Sequence, residues 1–166
     1  MRRLSKRAAL AIGLAAGMAI SQSFAGDTAN APTGVTSYTV NAAFEDVRFD
    51  LENAIVNRGL VIDYVSHIGE MLQRTSADVG GSKQIYANAQ AMLFCSANLS
   101  RKAMEADPAN IAFCPYTLFV YEEPAAEGKV TVGFRRLSET GSDASKAAIS
   151  DVNALLDEIA NEAAAN

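Results

Sequence analysis

Apolar residues recur at Phe44, Val47, Leu51 and Ile55, three or four positions apart, behind a short β-branched stretch at residues 35–40. The spacing predicts an amphipathic helix and the stretch before it a first strand, with Asn41 placed to cap the helix and Gly59 to end it. Residues 60–65 are apolar and β-branched enough for a second strand. Ser66 is placed to cap a shorter helix carrying Ile68, Met71, Leu72 and Thr75, closed by Gly80 and Gly81. Residues 83–94 alternate, with Ile85, Ala87, Ala89, Ala91 and Leu93 on one side and Gln84, Tyr86, Asn88, Gln90, Met92 and Phe94 on the other, which predicts a long strand. Ser96 can cap a helix through Leu99, Ala103 and Met104 that Pro108 stops at Asp107.

Residues 117–122 and 129–135 then read as a hairpin around Pro124 and Gly128, the second strand setting Val130, Val132 and Phe134 against Lys129, Thr131 and Arg135. Ile149, Val152, Leu155, Leu156 and Ile159 form the apolar face of a last helix that begins near Ser142 or Asp143. This order describes an α+β fold, one largely antiparallel sheet with helices packed on one face.

The N-terminal stretch has a different character. Arg2, Arg3, Lys6 and Arg7 precede an apolar run from Ala8 to Ile20 and a small-x-small site at Ser23, Phe24 and Ala25, which reads as a cleavable signal peptide over residues 1–25. The apolar run, 13 residues long, is shorter than the ~20 residues that a membrane span needs. Residues 26–34 are small, polar and aperiodic, a leader to a single domain at 35–166. The expected location is periplasmic or secreted. The signal holds four of the 14 basic residues and no acidic one, so the remainder carries ten basic against 19 acidic side chains, a net charge of −9. That balance argues against nucleic acid and anionic membranes as partners.

Two cysteines, Cys95 and Cys114, each follow a Phe. In an oxidising compartment they default to a disulfide that encloses 18 residues, but two buried thiols serving as small apolar core residues also fit. A third possibility joins Cys95 and Cys114 to His67 and Met71, four apart on one helical turn. Thiolate, imidazole and thioether together suit copper(I) or haem iron.

The segment Phe94-Cys95-Ser96-Ala97, a short helix ending Ala106-Asp107-Pro108, and the run from Phe113-Cys114-Pro115-Tyr116 to Val120-Tyr121-Glu122 resemble the core signature of the domain-of-unknown-function 302 family. In that family a strand ends in Cys, a helix and an Asp-Pro follow, and a second Cys opens a strand that finishes Val-Tyr-Glu. Asn57-Arg58-Gly59-Leu60 resembles the family's first half, so the likeness covers residues 35–136. The chain departs from the pattern at Cys95-Ser96-Ala97, where Cys-Asn-Pro is common, and at Ala112-Phe113-Cys114, where Leu-Pro-Cys is common. The resemblance implies a fold similar to the TATA-binding-protein-like β-α-β(4)-α arrangement and a capacity to pair into homodimers. It implies no reaction.

Nor do the residues supply one. There is no Gly-x-Ser-x-Gly elbow, phosphate loop or Gly-x-Gly-x-x-Gly, and His67 is the sole histidine. Tyr86, Phe94, Tyr116, Phe119 and Tyr121 could line an apolar ligand pocket, although strand aromatics commonly pack in cores. The expectation is therefore an exported, non-enzymatic binding or assembly module without a cofactor. The alternative is a redox accessory protein, or one handling copper or haem, that uses the two cysteines.

Overall fold

The computed structural model describes residues 34–165, so the predicted signal peptide and nearly all of the leader lie outside the described residues. Five strands, β1 (Val35–Asn41), β2 (Val61–Ser66), β3 (Asn88–Cys95), β4 (Tyr116–Glu122) and β5 (Lys129–Arg135), form one sheet in the order β1-β5-β4-β3-β2. Every pairing is antiparallel. Between and after the strands run α1 (Phe44–Val56), α2 (Ile68–Thr75), α3 (Ala97–Ala106), a 3₁₀ turn (Pro108–Phe113) and α4 (Asp143–Ala165). The result is an α+β fold, β-α-β(4)-α with α2 and α3 inserted between strands.

Period-two alternation decides which side chains meet the helices. Phe94 and Met92 of β3, Leu118 and Val120 of β4, and Val130, Val132 and Phe134 of β5 are all buried on one face. Phe44, Val47, Leu51 and Ile55 of α1 close over them with Val152, Leu156 and Ile159 of α4. A side chain of this size contributes about 1.5–3 kcal/mol when fully buried, so this layer is where the stability resides. Polar clamps fix the layer's edges. Asn153 of α4, itself buried, accepts from Leu137 N at 2.8 Å and donates to Leu137 O at 3.0 Å, tying the β5–α4 connection to the helix. Glu122, which closes the Val-Tyr-Glu run, accepts from Asn88 Nδ2 at 2.9 Å and from Gly128 N at 2.7 Å, holding the hairpin turn to the start of β3.

A third clamp gives a pH-dependent expectation. Tyr38 on β1 donates its hydroxyl to Asp157 Oδ1 on α4 at 2.7 Å. Burial, then the bond to Asp157 and its negative charge, push the phenol up from 10.0 to about 12. The folded chain therefore holds this proton more tightly than the unfolded chain. The associated stability is complete below the unfolded pKa and is lost as pH rises from about 10 to about 12. Urea midpoints at about pH 9 and about pH 11 should fall less between the two values in Tyr38→Phe than in the parent chain. Equal falls in both proteins would remove Tyr38 as the source.

Several local expectations need correction. Asn41 does not cap α1: it is the last residue of β1, and Ala43 occupies the cap position without a side-chain bond, leaving Glu45 and Asp46 to meet the positive end of the helix. Gly59 does end the turn after α1, at φ 72°, a left-handed position that glycine takes without a Cβ clash. Ser66 belongs to β2, and His67 stands at the α2 cap position, also without a cap bond. Ser96 caps α3 through a bond from Leu99 N, and Ser142 Oγ accepts from Ser145 N at the start of α4.

The strand expected over residues 83–94 starts only at Asn88, because β4 ends at Glu122 opposite it and leaves the earlier residues no partner strand. Finally, α2 is not in the helix layer. It packs on β3, buries none of its residues, and sends Ile68 toward the opposite face of the sheet. The expected one-sided helix arrangement holds for α1, α3 and α4.

Candidate functional site

Cys95 ends β3 and Cys114 precedes β4, the neighbouring strand, and the two form a disulfide with Cα atoms 6.2 Å apart. The register that pairs Phe94 with Tyr116 brings them together at the end of the ladder. Beside the bridge, Ser100 Oγ of α3 lies 3.7 Å from Cys114 Sγ and 3.0 Å from the Tyr116 hydroxyl. Burial raises the Tyr116 phenol, and the Ser100 bond partly opposes that shift. The ring of Tyr116 meets Phe94 edge-on at 6.1 Å. These contacts make a packed staple at one end of the sheet.

His67 and Met71 lie elsewhere. Val61 of β2 pairs with Cys95 but Ser66 pairs with Ala91, so His67 begins about 13 Å further along β3 from the disulfide. Its ring is exposed and sits 3.3 Å from Glu70 Oε1, and Met71 is exposed as well. The grouping of Cys95, Cys114, His67 and Met71 as copper or haem ligands is thus not assembled. The sulfurs are bonded to each other, and a four-residue run of strand separates the two halves. Among the described residues no other group of three or more His, Cys, Asp or Glu converges.

The opposite sheet face offers a more extensive site. α1, α3 and α4 leave it uncovered, and a concavity of about 690 Å³ lies there. The ladder registers place two cross-strand rows on this face, Thr39, Thr131, Tyr121 and Ala89 in one, and Ser37, Gly133, Phe119 and Ala91 in the next; all but the buried Gly133 and Ala91 line the concavity. Small residues lie at the centre and along β3, and the Phe119 ring of β4 leans across Gly133. Phe119 and Tyr121 have ring centroids 6.0 Å apart and planes 30° apart, and Tyr86 leans against Tyr121 at 5.4 Å. The hydroxyls of Thr39 and Thr131 are 3.1 Å apart. Lys129 and Glu123 stand at the rim.

Of the five aromatics singled out from the sequence, Phe94 and Tyr116 are therefore core, whereas Tyr86, Phe119 and Tyr121 line the concavity. Sequence reasoning missed Ser37, Thr39 and Thr131. Their signal was present as the polar half of the β1 and β5 alternation, but a polar strand face reads equally well as plain solvent surface.

No curated protein matches the chain. Among solved structures the chain is similar to an uncharacterized conserved DUF302 protein from Bacillus stearothermophilus, with a TM-score of 0.66 and 15% sequence identity over 80% of this chain and 99% of that one. At that identity the likeness speaks to the fold. A family model matches residues 36–164, and the chain belongs to the family described as Domain of unknown function DUF302.

Proposed function

We propose that this chain is an exported, non-enzymatic binding module whose ligand-contacting surface is the concavity on the sheet face opposite α1, α3 and α4. The observation that carries this reading is the concavity of about 690 Å³ with three aromatic side chains and a row of hydroxyls on a rigid ladder. Its volume falls within the roughly 300–1,000 Å³ of small-molecule sites, and a mixture of apolar walls with a few polar groups is the usual composition of such sites. Export is supported by the signal-like N-terminus and by the Cys95–Cys114 disulfide, which persists in oxidising compartments. No helix among the described residues is long and apolar enough to cross a membrane.

Isotope-labelled protein titrated with a library of small neutral and charged fragments should show amide shifts concentrated at Ser37, Thr39, Phe119, Tyr121 and Thr131. Phe119→Ala should abolish them while leaving the remaining spectrum in place. Shifts confined to α1, α4 or the outer edge of β2 would refute the assignment of the face, and chemical conversion of a bound fragment would refute the non-enzymatic part.

A further inference from the structure

The geometry points to a neutral, hydroxyl-rich ring as the ligand class, a pyranose sugar or a short oligosaccharide of such rings, stacked on Phe119 and Tyr121. This inference rests on the binding-face reading above and deepens it. Three features of the face select the class.

The first is the shape of the aromatic surface. Phe119 and Tyr121 are two apart on β4 and so emerge from the same side of the strand, and their planes differ by only 30° at 6.0 Å. Both rings line the concavity and are partly exposed there. Tyr86, inclined at 57° to Tyr121 with centroids 5.4 Å apart, adds a third ring to this aromatic surface. A flat aromatic ligand gains most when enclosed on both faces. A pyranose has an apolar face of C–H groups for such a surface and a polar edge that stays hydrated or hydrogen-bonded.

The second is the position and capacity of the hydroxyls. Thr131 pairs directly with Tyr121, and Thr39 with Thr131. Neighbouring strands lie about 4.8 Å apart, so the edge of a ring resting on Tyr121 reaches Thr131 first and Thr39 next. Two hydroxyls present two donors and four acceptor lone pairs, and the bond between Thr39 and Thr131 uses one of each. What remains is rich in acceptors. Ser37, in the adjacent row, lines the concavity but is itself buried, so the hydroxyls that a ligand edge meets are those of Thr39 and Thr131. A ligand edge that donates several hydrogen bonds matches this strip, and an aliphatic or unsubstituted aromatic edge would desolvate it without replacement.

The third is charge. The rim carries one cation, Lys129, and one carboxylate, Glu123, in a protein that is strongly acidic once the signal is removed. An anionic ligand such as a phosphate or fatty acid finds no surplus of positive charge here, whereas an uncharged polyol meets no electrostatic cost.

The test titrates the purified exported chain, disulfide intact, with three probes followed by amide shifts: cellobiose or maltose as neutral disaccharides, indole as a flat aromatic, and decanoate as an anionic lipid chain. The expected result is saturable shifts at Thr39, Phe119, Tyr121 and Thr131 with a disaccharide. Tyr121→Ala should weaken that binding about tenfold, in line with the loss of one aromatic contact. Thr131→Val, which keeps the shape and removes the hydroxyl, should weaken it as well. Both variants must retain the parent's circular dichroism, which keeps a folding defect distinguishable. Saturable binding of indole or decanoate at this face, with neither disaccharide bound, would overturn the ligand class and leave the face as the binding surface. Absence of shifts at the face with every probe would overturn the binding-face reading together with the sugar assignment.

Discussion

Reducing the Cys95–Cys114 bridge should cost the folded chain about 3 kcal/mol, the loop-entropy value for the 18 residues it encloses. The unfolded chain gains most of that freedom, because in the folded state the two residues stay adjacent through the β3–β4 ladder and the contacts of Ser100, Phe94 and Tyr116. The Cα separation of 6.2 Å falls inside the range that a bridge spans without backbone movement. For a domain of this size the change corresponds to a drop of roughly 10 °C in Tm. Thermal melts with and without dithiothreitol measure it. A Cys95→Ser, Cys114→Ser variant should melt near the reduced protein in either condition. If reductant lowers the parent's Tm and that of the double variant equally, the bridge is not the cause.

Gly133→Ala should destabilise by about 2 kcal/mol, against the usual gain from replacing a strand glycine. An added Cβ would lie 2.5 Å from Thr36 O, 2.7 Å from the Phe119 ring and 2.8 Å from Ser37 Cβ. The ring could turn aside, but the carbonyl belongs to β1 and cannot move without loosening the β1–β5 ladder. The double variant Gly133→Ala, Phe119→Ala separates the ring contact from the two contacts with β1. If the backbone clash dominates, removing the ring restores little stability, and urea midpoints of the four proteins in the cycle give the coupling. A Gly133→Ala protein as stable as its parent would show that β1 yields freely. The same substitution would also disturb the concavity through Ser37 and Phe119, two lining residues that flank Gly133 across the ladder.

Gly133 shows why part of the candidate site was hidden in the sequence. A glycine within an alternating strand is visible there, but which ring and which carbonyl approach it depends on the register of two neighbouring strands. The aromatics divide for the same reason. Phe94 and Tyr116 on one side, and Phe119 and Tyr121 on the other, follow from alternation once the helix-covered face is known, yet alternation alone does not say which face the helices cover. His67 and Met71 are a reachable pair by helical spacing, and they fail as partners of the cysteines because β2 and β3 run antiparallel, placing the start of α2 at the opposite end of β3 from Cys95. The missed caps at Asn41 and Ser66 are boundary errors, in which a polar residue suited to a cap instead finishes the strand before it.

The sequence by itself determined the succession of strands and helices, the apolar faces of α1 and α4, the likeness to the DUF302 family, and the two cysteines as the candidate bridge. These depend on local periodicity, short-range capping and turn chemistry, and contiguous motifs, all of which are written within a few residues of one another. Only the tertiary structure decided that the strands order as β1-β5-β4-β3-β2, that α2 leaves the helix layer, and that Ser37, Thr39, Thr131, Phe119 and Tyr121 line one concavity. Those facts rest on pairings between residues distant along the chain, and such pairings are selected by burying the other face of the same strands.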